Sequence, residues 1–341
     1  MPELLTLSLS PPERVCYAIR AAQSVAIVPH ISPDGDALGS AFALSQALQA
    51  LGKSVCVYVA SQIPNPYMSM RGASEAFTAE DAKLLARTHG EGEPYDLMIA
   101  VDCADVGRLG DCSVLLRHAG LTMAIDHHGT NGGIADLNYI DKNASATCVL
   151  IYEICLALGV PIDRDIALCV YTGISTDTGH FSQRNTNPRA LEVAAACLAT
   201  GIDGAWLAEI LHKTRSINKT RLISRALSSI KTCQSDRVIA MCLSKDDFAS
   251  TGCSDVHTEG IIDFGIAVRG SLAAVLCAER DNGVRVSMRA RPPVNVADVA
   301  CRFGGGGHAL AAGCTINRPL GEAMEMVVSE LVKSVKSVGN V

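Results

Sequence analysis

The sequence predicts an α/β protein, with a larger N-terminal domain built on a parallel sheet and a smaller α+β domain after it. Three observations carry that expectation. Short runs rich in Val and Ile, SVAIVP, SVCVYVA, DLMIAVD and LTMAID, punctuate the first half, and a helical pattern separates the first two. These runs are apolar throughout, as strands covered on both faces are. After about Lys231 the texture changes to RVIAMCLS, SLAAVLCAER and VRVSMRAR, which read as strands with charged turns between them.

Taken in order, the opening segment MPELLTLSLSPPER carries Glu3, no basic leader and the break Pro11-Pro12, so neither a secretory signal nor a spanning helix is expected there. No later apolar run is long enough to cross a bilayer, and a cytoplasmic location is the expectation. SVAIVP reads as the first strand. In DALGSAFALSQALQALG, the positions Leu38, Ala41, Leu44, Leu48 and Leu51 recur at helical spacing. SVCVYVA, DLMIAVD and LTMAID then supply further strands. From Ala146 to Gly201 the pattern is mainly helical, with TCVLIYEICLALG, DIALCVYTGI and NPRALEVAAACLATG each closing near a glycine. AWLAEILHKTRSINKTRLISRALSSI reads as a connecting helix or helix pair. Arg280-Asp281-Asn282-Gly283 suits a hairpin turn. The domains expected are residues 1–203, a helical linker over 204–232, and 233–341, with a cleft between the two domains.

The composition fits this size of core, at 341 residues and 48% hydrophobic. With 29 basic against 35 acidic residues, the net charge of -6 argues against a generic nucleic-acid coat protein and leaves room only for a local basic patch. There are 14 cysteines, none closer together than Cys148 and Cys155, so no CxxC zinc or redox pair is present. Most lie inside apolar runs and read as reduced core residues, which implies a reducing compartment.

The chemistry concentrates at strand ends. His30, Asp102 and Asp126 each follow an apolar strand, in AIVPH, MIAVD and TMAID; HISPDGDALGS adds Asp34 and Asp36, GISTDTG adds Asp177, and Asp126 is followed by His127 and His128. In a parallel sheet these positions lie on the carboxyl edge, where such folds bind ligands. Singly, each acid reads as a turn or a helix cap. Crowded together, they would repel one another unless divalent cations neutralised them. Nitrogen and oxygen donors without thiolate suit Mn²⁺, with Mg²⁺, Co²⁺ or Zn²⁺ as alternative occupants, and two such ions can share a carboxylate.

HISPDGD, VDCAD, Asp126-His127-His128 and GISTDTG, in this order and spacing, resemble the DHH phosphoesterase family, and FGGGGHALAAG, Phe303 to Gly313, looks like the signature of its DHHA1 substrate-binding domain. The resemblance implies one metal on His30, Asp34 and Asp102 and a second on Asp36, Asp102, His127 and Asp177. Asp102 would bridge the two, Asp126 would orient the neighbouring histidines, and His128 would face the scissile phosphate. It also implies substrate contacts from Arg289, Gly305, Gly306, Gly307 and His308.

Between Arg269 and Arg302 the chain holds six arginines against Glu279, Asp281 and Asp298. The planar fork of arginine suits phosphate, and a solvated strand face is the rival reading for each. Within the family the architecture is most similar to the group that cleaves nanoRNA and 3'-phosphoadenosine-5'-phosphate (pAp). Cleavage of cyclic or linear dinucleotides, and a non-catalytic nucleotide sensor, stay open. The expected partners are short RNA oligonucleotides or a nucleotide, without long duplex nucleic acid and without a membrane. A homodimer is compatible with the chain.

Overall fold

The computed structural model describes residues 10–89 and 94–337, so the start of the opening segment lies outside the described residues. The chain divides into two compact units, one up to Thr214 and the other from Arg215. No helix among the described residues is long and apolar enough to cross a membrane.

In the first unit, α1 (Pro11–Ala21) leads into β1 (Ser24–Pro29), α2 (Gly35–Ala50), β2 (Ser54–Val59), β3 (Phe77–Thr78), α3 (Ala79–His89), β4 (Leu97–Val101), β5 (Thr122–Asp126) and β6 (Leu137–Ile140). A 3₁₀ stretch, Val106–Arg117, separates β4 from β5. The six strands are parallel, in the order β3-β2-β1-β4-β5-β6. The strand order reverses between β1 and β4, so their carboxyl ends flank the crevice where open parallel sheets bind ligands. Short edge strands β3 and β6, which the apolar pattern does not mark, complete the sheet.

Then come α4 (Thr147–Leu158), α5 (Arg164–Asp177), α6 (Pro188–Ala199) and the short α7 (Gly204–Ala208). One correction concerns α2. Gly35 to Leu48 are all buried, whereas Leu51, expected on its apolar stripe, caps the helix and is exposed. The cause is that α2 is enclosed by the sheet on one side and by α4 and α5 on the other. The enclosure needs glycine. A Cβ on Gly173 would stand 2.2 Å from Cys148 Sγ and 2.8 Å from Asp36 Oδ1, so α5 approaches this closely only without one. The cysteines of this unit are mostly buried and all are free, as their apolar settings predict.

AWLAEILHKTRSINKTRLISRALSSI is a helical pair. After α7 the chain makes a π-turn, Glu209–Lys213, and α8 (Ile217–Ser228) follows within the second unit, packed on β8 and α9. That unit holds β7 (Lys231–Cys233), β8 (Val238–Leu243), α9 (Lys245–Thr251), α10 (Ile261–Ile266), β9 (Ala273–Arg280), β10 (Gly283–Ala290), α11 (Val296–Arg302), β11 (Gly306–His308), β12 (Ala311–Ile316) and α12 (Leu320–Ser337). Its sheet runs β11-β12-β10-β9-β8-β7, with β8 and β9 parallel and the other pairs antiparallel. The expected hairpin joins β9 to β10, pairing Arg280 with Gly283. Apolar clusters cover both faces of this sheet.

Candidate active site

His30 follows β1, Asp102 follows β4, and Asp126 ends β5, so three neighbouring strands deliver polar groups to one rim. Asp102 adopts φ +55° while 1% exposed, a conformation Asp tolerates better than most residues and one that the fold imposes here. Asp34 caps α2, accepting the N–H groups of Asp36 and Ala37 at 3.0 Å each. Asp36 lies in the first turn of α2, and Asp177 is the last residue of α5.

The structure brings these residues together. His30 Nε2 lies 3.9 Å from Asp34 Oδ1 and 3.6 Å from Asp102 Oδ2. His127 Nε2 lies 3.8 Å from Asp36 Oδ2, 3.6 Å from Asp102 Oδ1 and 3.4 Å from Asp177 Oδ2. Asp102 therefore stands between two donor groups, one with His30 and Asp34, the other with His127 and, beside it, Asp36 and Asp177.

The fit to divalent cations rests on His127. Its Nδ1 faces the Ala144 carbonyl at 3.3 Å, the arrangement that leaves the lone pair on Nε2. That Nε2 is buried, has no hydrogen-bond partner among the described residues, and looks onto three carboxylates. These separations are too long for hydrogen bonds. Two ligand atoms that share one ion at ~2.1 Å stand roughly 3.0–3.5 Å apart.

Protonation follows from the crowding. Burial, reinforced by the charges of Asp102 and Asp177, pushes Asp36 well above the usual carboxylate range. Burial also lifts Asp177 to about 6, with Asp102 and Asp34 adding to it and His127 opposing. Asp102 goes the other way: burial would raise it, but the imidazoles of His30, His127 and His128 hold it low. His128 is raised to about 9, chiefly by its hydrogen bond to Asp126, at 2.8 Å.

Asp126 orients only one of the two histidine rings. Its Oδ1 accepts from the ring of His128 and from the N–H groups of both histidines. The ring of His127 is set instead by the Ala144 carbonyl.

Sequence reasoning missed four residues here. Ala146 cannot cap α4, so the first-turn N–H groups of Thr147 and Cys148 donate to Asp36 Oδ2 at 2.6 Å and Oδ1 at 2.8 Å. The Thr147 hydroxyl also donates to Asp102 Oδ1 at 2.8 Å. Asn131 donates to Asp126 Oδ2 at 2.7 Å and to the Cys103 carbonyl at 3.0 Å. Arg108 Nη2 lies 3.0 Å from His30 Nδ1. The only sequence signal was a polar residue before an apolar helix for Thr147; Asn131 and Arg108 sit in turn-rich stretches with none.

In the second unit, a pocket of 630 Å³ is lined by Arg285, Ser287, Arg289, Thr315 and the run Gly304 to Gly307. The glycines are strand and turn. Gly306 and Gly307 pair with β12, and a Cβ on Gly305 would meet the Gly313 carbonyl at 2.2 Å. His308 ends β11, exposed, and is not among the lining residues. Several of the six arginines are engaged elsewhere: Arg280 and Arg285 share Asp255, Arg302 pairs with Glu330, and Arg291 donates to the Ile266 carbonyl. Arg289 donates to the Met288 carbonyl at 3.3 Å, and the carboxylate that faces it, Asp263, is 3.8 Å away.

A two-centre cluster of acids and imidazoles at the switch point of a parallel sheet fits a pair of divalent cations, and the family match makes the class a metal-dependent phosphoesterase. The chain belongs to the DHH family: the family's N-terminal domain matches residues 24–174 and the DHHA1 domain residues 235–337. It is 33% identical to the bifunctional oligoribonuclease and PAP phosphatase NrnA of Thermus thermophilus, over 95% of this chain and 94% of that one. The protein of the same name from Bacillus subtilis is 26% identical, over 84% of this chain and 87% of that one. The crystal structure of an exopolyphosphatase-related protein from Bacteroides fragilis has the same fold, with a TM-score of 0.87 at 23% identity, covering 95% of this chain and 96% of that one. The protein is a hydrolase of phosphoester bonds.

Proposed function

We propose that this protein hydrolyses short oligoribonucleotides (nanoRNA) to mononucleotides and cleaves pAp with water to AMP and phosphate. The observation that carries this reading is the buried, unpartnered Nε2 of His127 facing Asp36, Asp102 and Asp177, in a chain related along nearly its whole length to enzymes named for these two activities.

His30, Asp34 and Asp102 would hold one ion, and Asp36, Asp102, His127 and Asp177 the other. Manganese suits the mixed nitrogen and oxygen donors, with Mg²⁺, Co²⁺ or Zn²⁺ as alternatives. When bound, the ions lower the pKa of a water and neutralise charge on the phosphoryl group. Thr147 and Cys148 hold Asp36 in place through their N–H groups. Asp126 fixes the ring of His128, and since Nδ1 is committed to that carboxylate, Nε2–H would be the donor that meets a phosphoryl oxygen. In the second unit, Arg289, the bare backbone of Gly305 to Gly307 and, next along the hairpin, His308 would offer donors to an anionic group.

The test is a manganese-supplemented assay of RNAs of graded length, pAp and a cyclic dinucleotide, run in parallel. Hydrolysis of the shortest RNAs and of pAp, falling with length, is expected. A cyclic dinucleotide cleaved faster than either would give the site to dinucleotide hydrolysis. Tight nucleotide binding without turnover under any of the four metals would make the protein a sensor.

A further inference from the structure

We infer that Arg108 is a further catalytic residue, one that contacts the substrate phosphate beside His30; this rests on the reading of the site as a phosphoesterase centre. The inference comes from a conflict at one nitrogen. His30 Nδ1 lies 2.8 Å from the Ile31 carbonyl and 3.0 Å from Arg108 Nη2. A ring nitrogen either donates its proton or accepts on its lone pair, so it serves only one of these neighbours at a time.

A cation held by His30, Asp34 and Asp102 takes the lone pair of Nε2, which points at Asp34 Oδ1 and Asp102 Oδ2. The ring proton is then on Nδ1 and goes to the Ile31 carbonyl. The N–H of Arg108 is left facing another N–H. Among the described residues, the guanidinium has no other hydrogen-bond partner and no carboxylate to pair with. An arginine with a full fork of unused donors beside the cation-binding carboxylates is suited to a phosphoryl group.

The backbone presents it firmly. The Arg108 carbonyl accepts the Ile31 N–H at 2.7 Å, and the Arg108 N–H donates to Asp105 Oδ1 at 3.1 Å. Gly110, at φ +56°, lets the loop close onto Ile31, where a Cβ would stand 2.6 Å from Ile31 Cγ2. Neighbouring Asp34 has a half-exposed side chain, so this flank of the cluster is open to an incoming anion.

Arg108→Ala, Arg108→Gln and Arg108→Lys are to be compared with the wild type in the manganese-loaded protein, reading three quantities: the affinity for inorganic phosphate, the affinity for manganese, and turnover of a short RNA. For the alanine and glutamine variants, phosphate binding about tenfold or more weaker and kcat/KM about 10²-fold lower are expected, with manganese affinity kept within about twofold. Lysine should fall between, since it keeps the charge and loses the fork. Unchanged phosphate affinity overturns the inference. So does manganese affinity that drops in step with phosphate affinity, which would make Arg108 a support for His30 alone. If the wild type turns over no phosphoester, the proposed function fails by itself, and phosphate affinity still decides Arg108.

Discussion

The backbone N–H of Thr147 donates to Oδ2 of Asp36 at 2.6 Å, joining two fully buried residues 111 positions apart. The same residue reaches Asp102 with its hydroxyl at 2.8 Å. Thr147→Val keeps shape and N–H while removing that hydroxyl. Manganese affinity should fall about 10–100-fold, the usual effect of losing a group that orients a ligand, with little change in melting temperature. Titration calorimetry reads it.

The metal-free protein should show a pH dependence traceable to Asp177. Burial lifts its carboxyl to about 6 in the fold, above the usual carboxylate range. A raised folded pKa favours the fold at low pH, and that contribution is lost as pH rises through about 6. Measured in chelator, the melting temperature of the wild type relative to Asp177→Asn should therefore decline between pH 4 and pH 7. Saturating manganese should remove the decline. A flat difference would show that burial and the neighbouring carboxylates do not raise Asp177 in the fold.

Arg189 ties α6 to α4 and to the segment after β6. From the start of α6 it donates to Glu153 of α4 with Nε and Nη2, and to Asp141 with Nη1 at 2.6 Å. Arg189→Met should lower unfolding free energy by about 1–3 kcal/mol in denaturant titrations and leave manganese affinity unchanged.

Arg289 lines the pocket beside the glycine run and has no close carboxylate. Arg289→Ala should raise KM for pAp about tenfold or more while kcat changes little. A KM equal to that of the wild type for every substrate would remove Arg289 from binding.

What was legible in the sequence is what local chemistry announces. Val- and Ile-rich runs ending in His30, Asp102 and Asp126 mark strands and their carboxyl ends, because a polar group after a buried strand needs a partner. The grouping of Asp34, Asp36, His127 and Asp177 was implied by the resemblance to the DHH family, and charge balance says why such a group calls for cations. Thr147 and Arg108 were illegible because their roles rest on contacts 111 and 78 positions away in the chain. The two residues of β3 are too few to show a pattern. The spacing in α2 read as one apolar stripe because small residues such as Gly39, Ser40 and Ala43 carry little hydrophobic signal, yet they are what lets α4 and α5 cover its other side. The glycine run reads as a loop because glycine is rare inside strands, and only its pairing with β12 makes part of it one.

The most direct measurement is the number of manganese ions bound per chain, by elemental analysis together with anomalous scattering, in the wild type and in Asp102→Asn. Two ions in the wild type, flanking Asp102, and at most one in the variant are predicted. A wild type that binds no ion at His30, Asp102 and His127, or a variant that keeps both, would contradict the assignment.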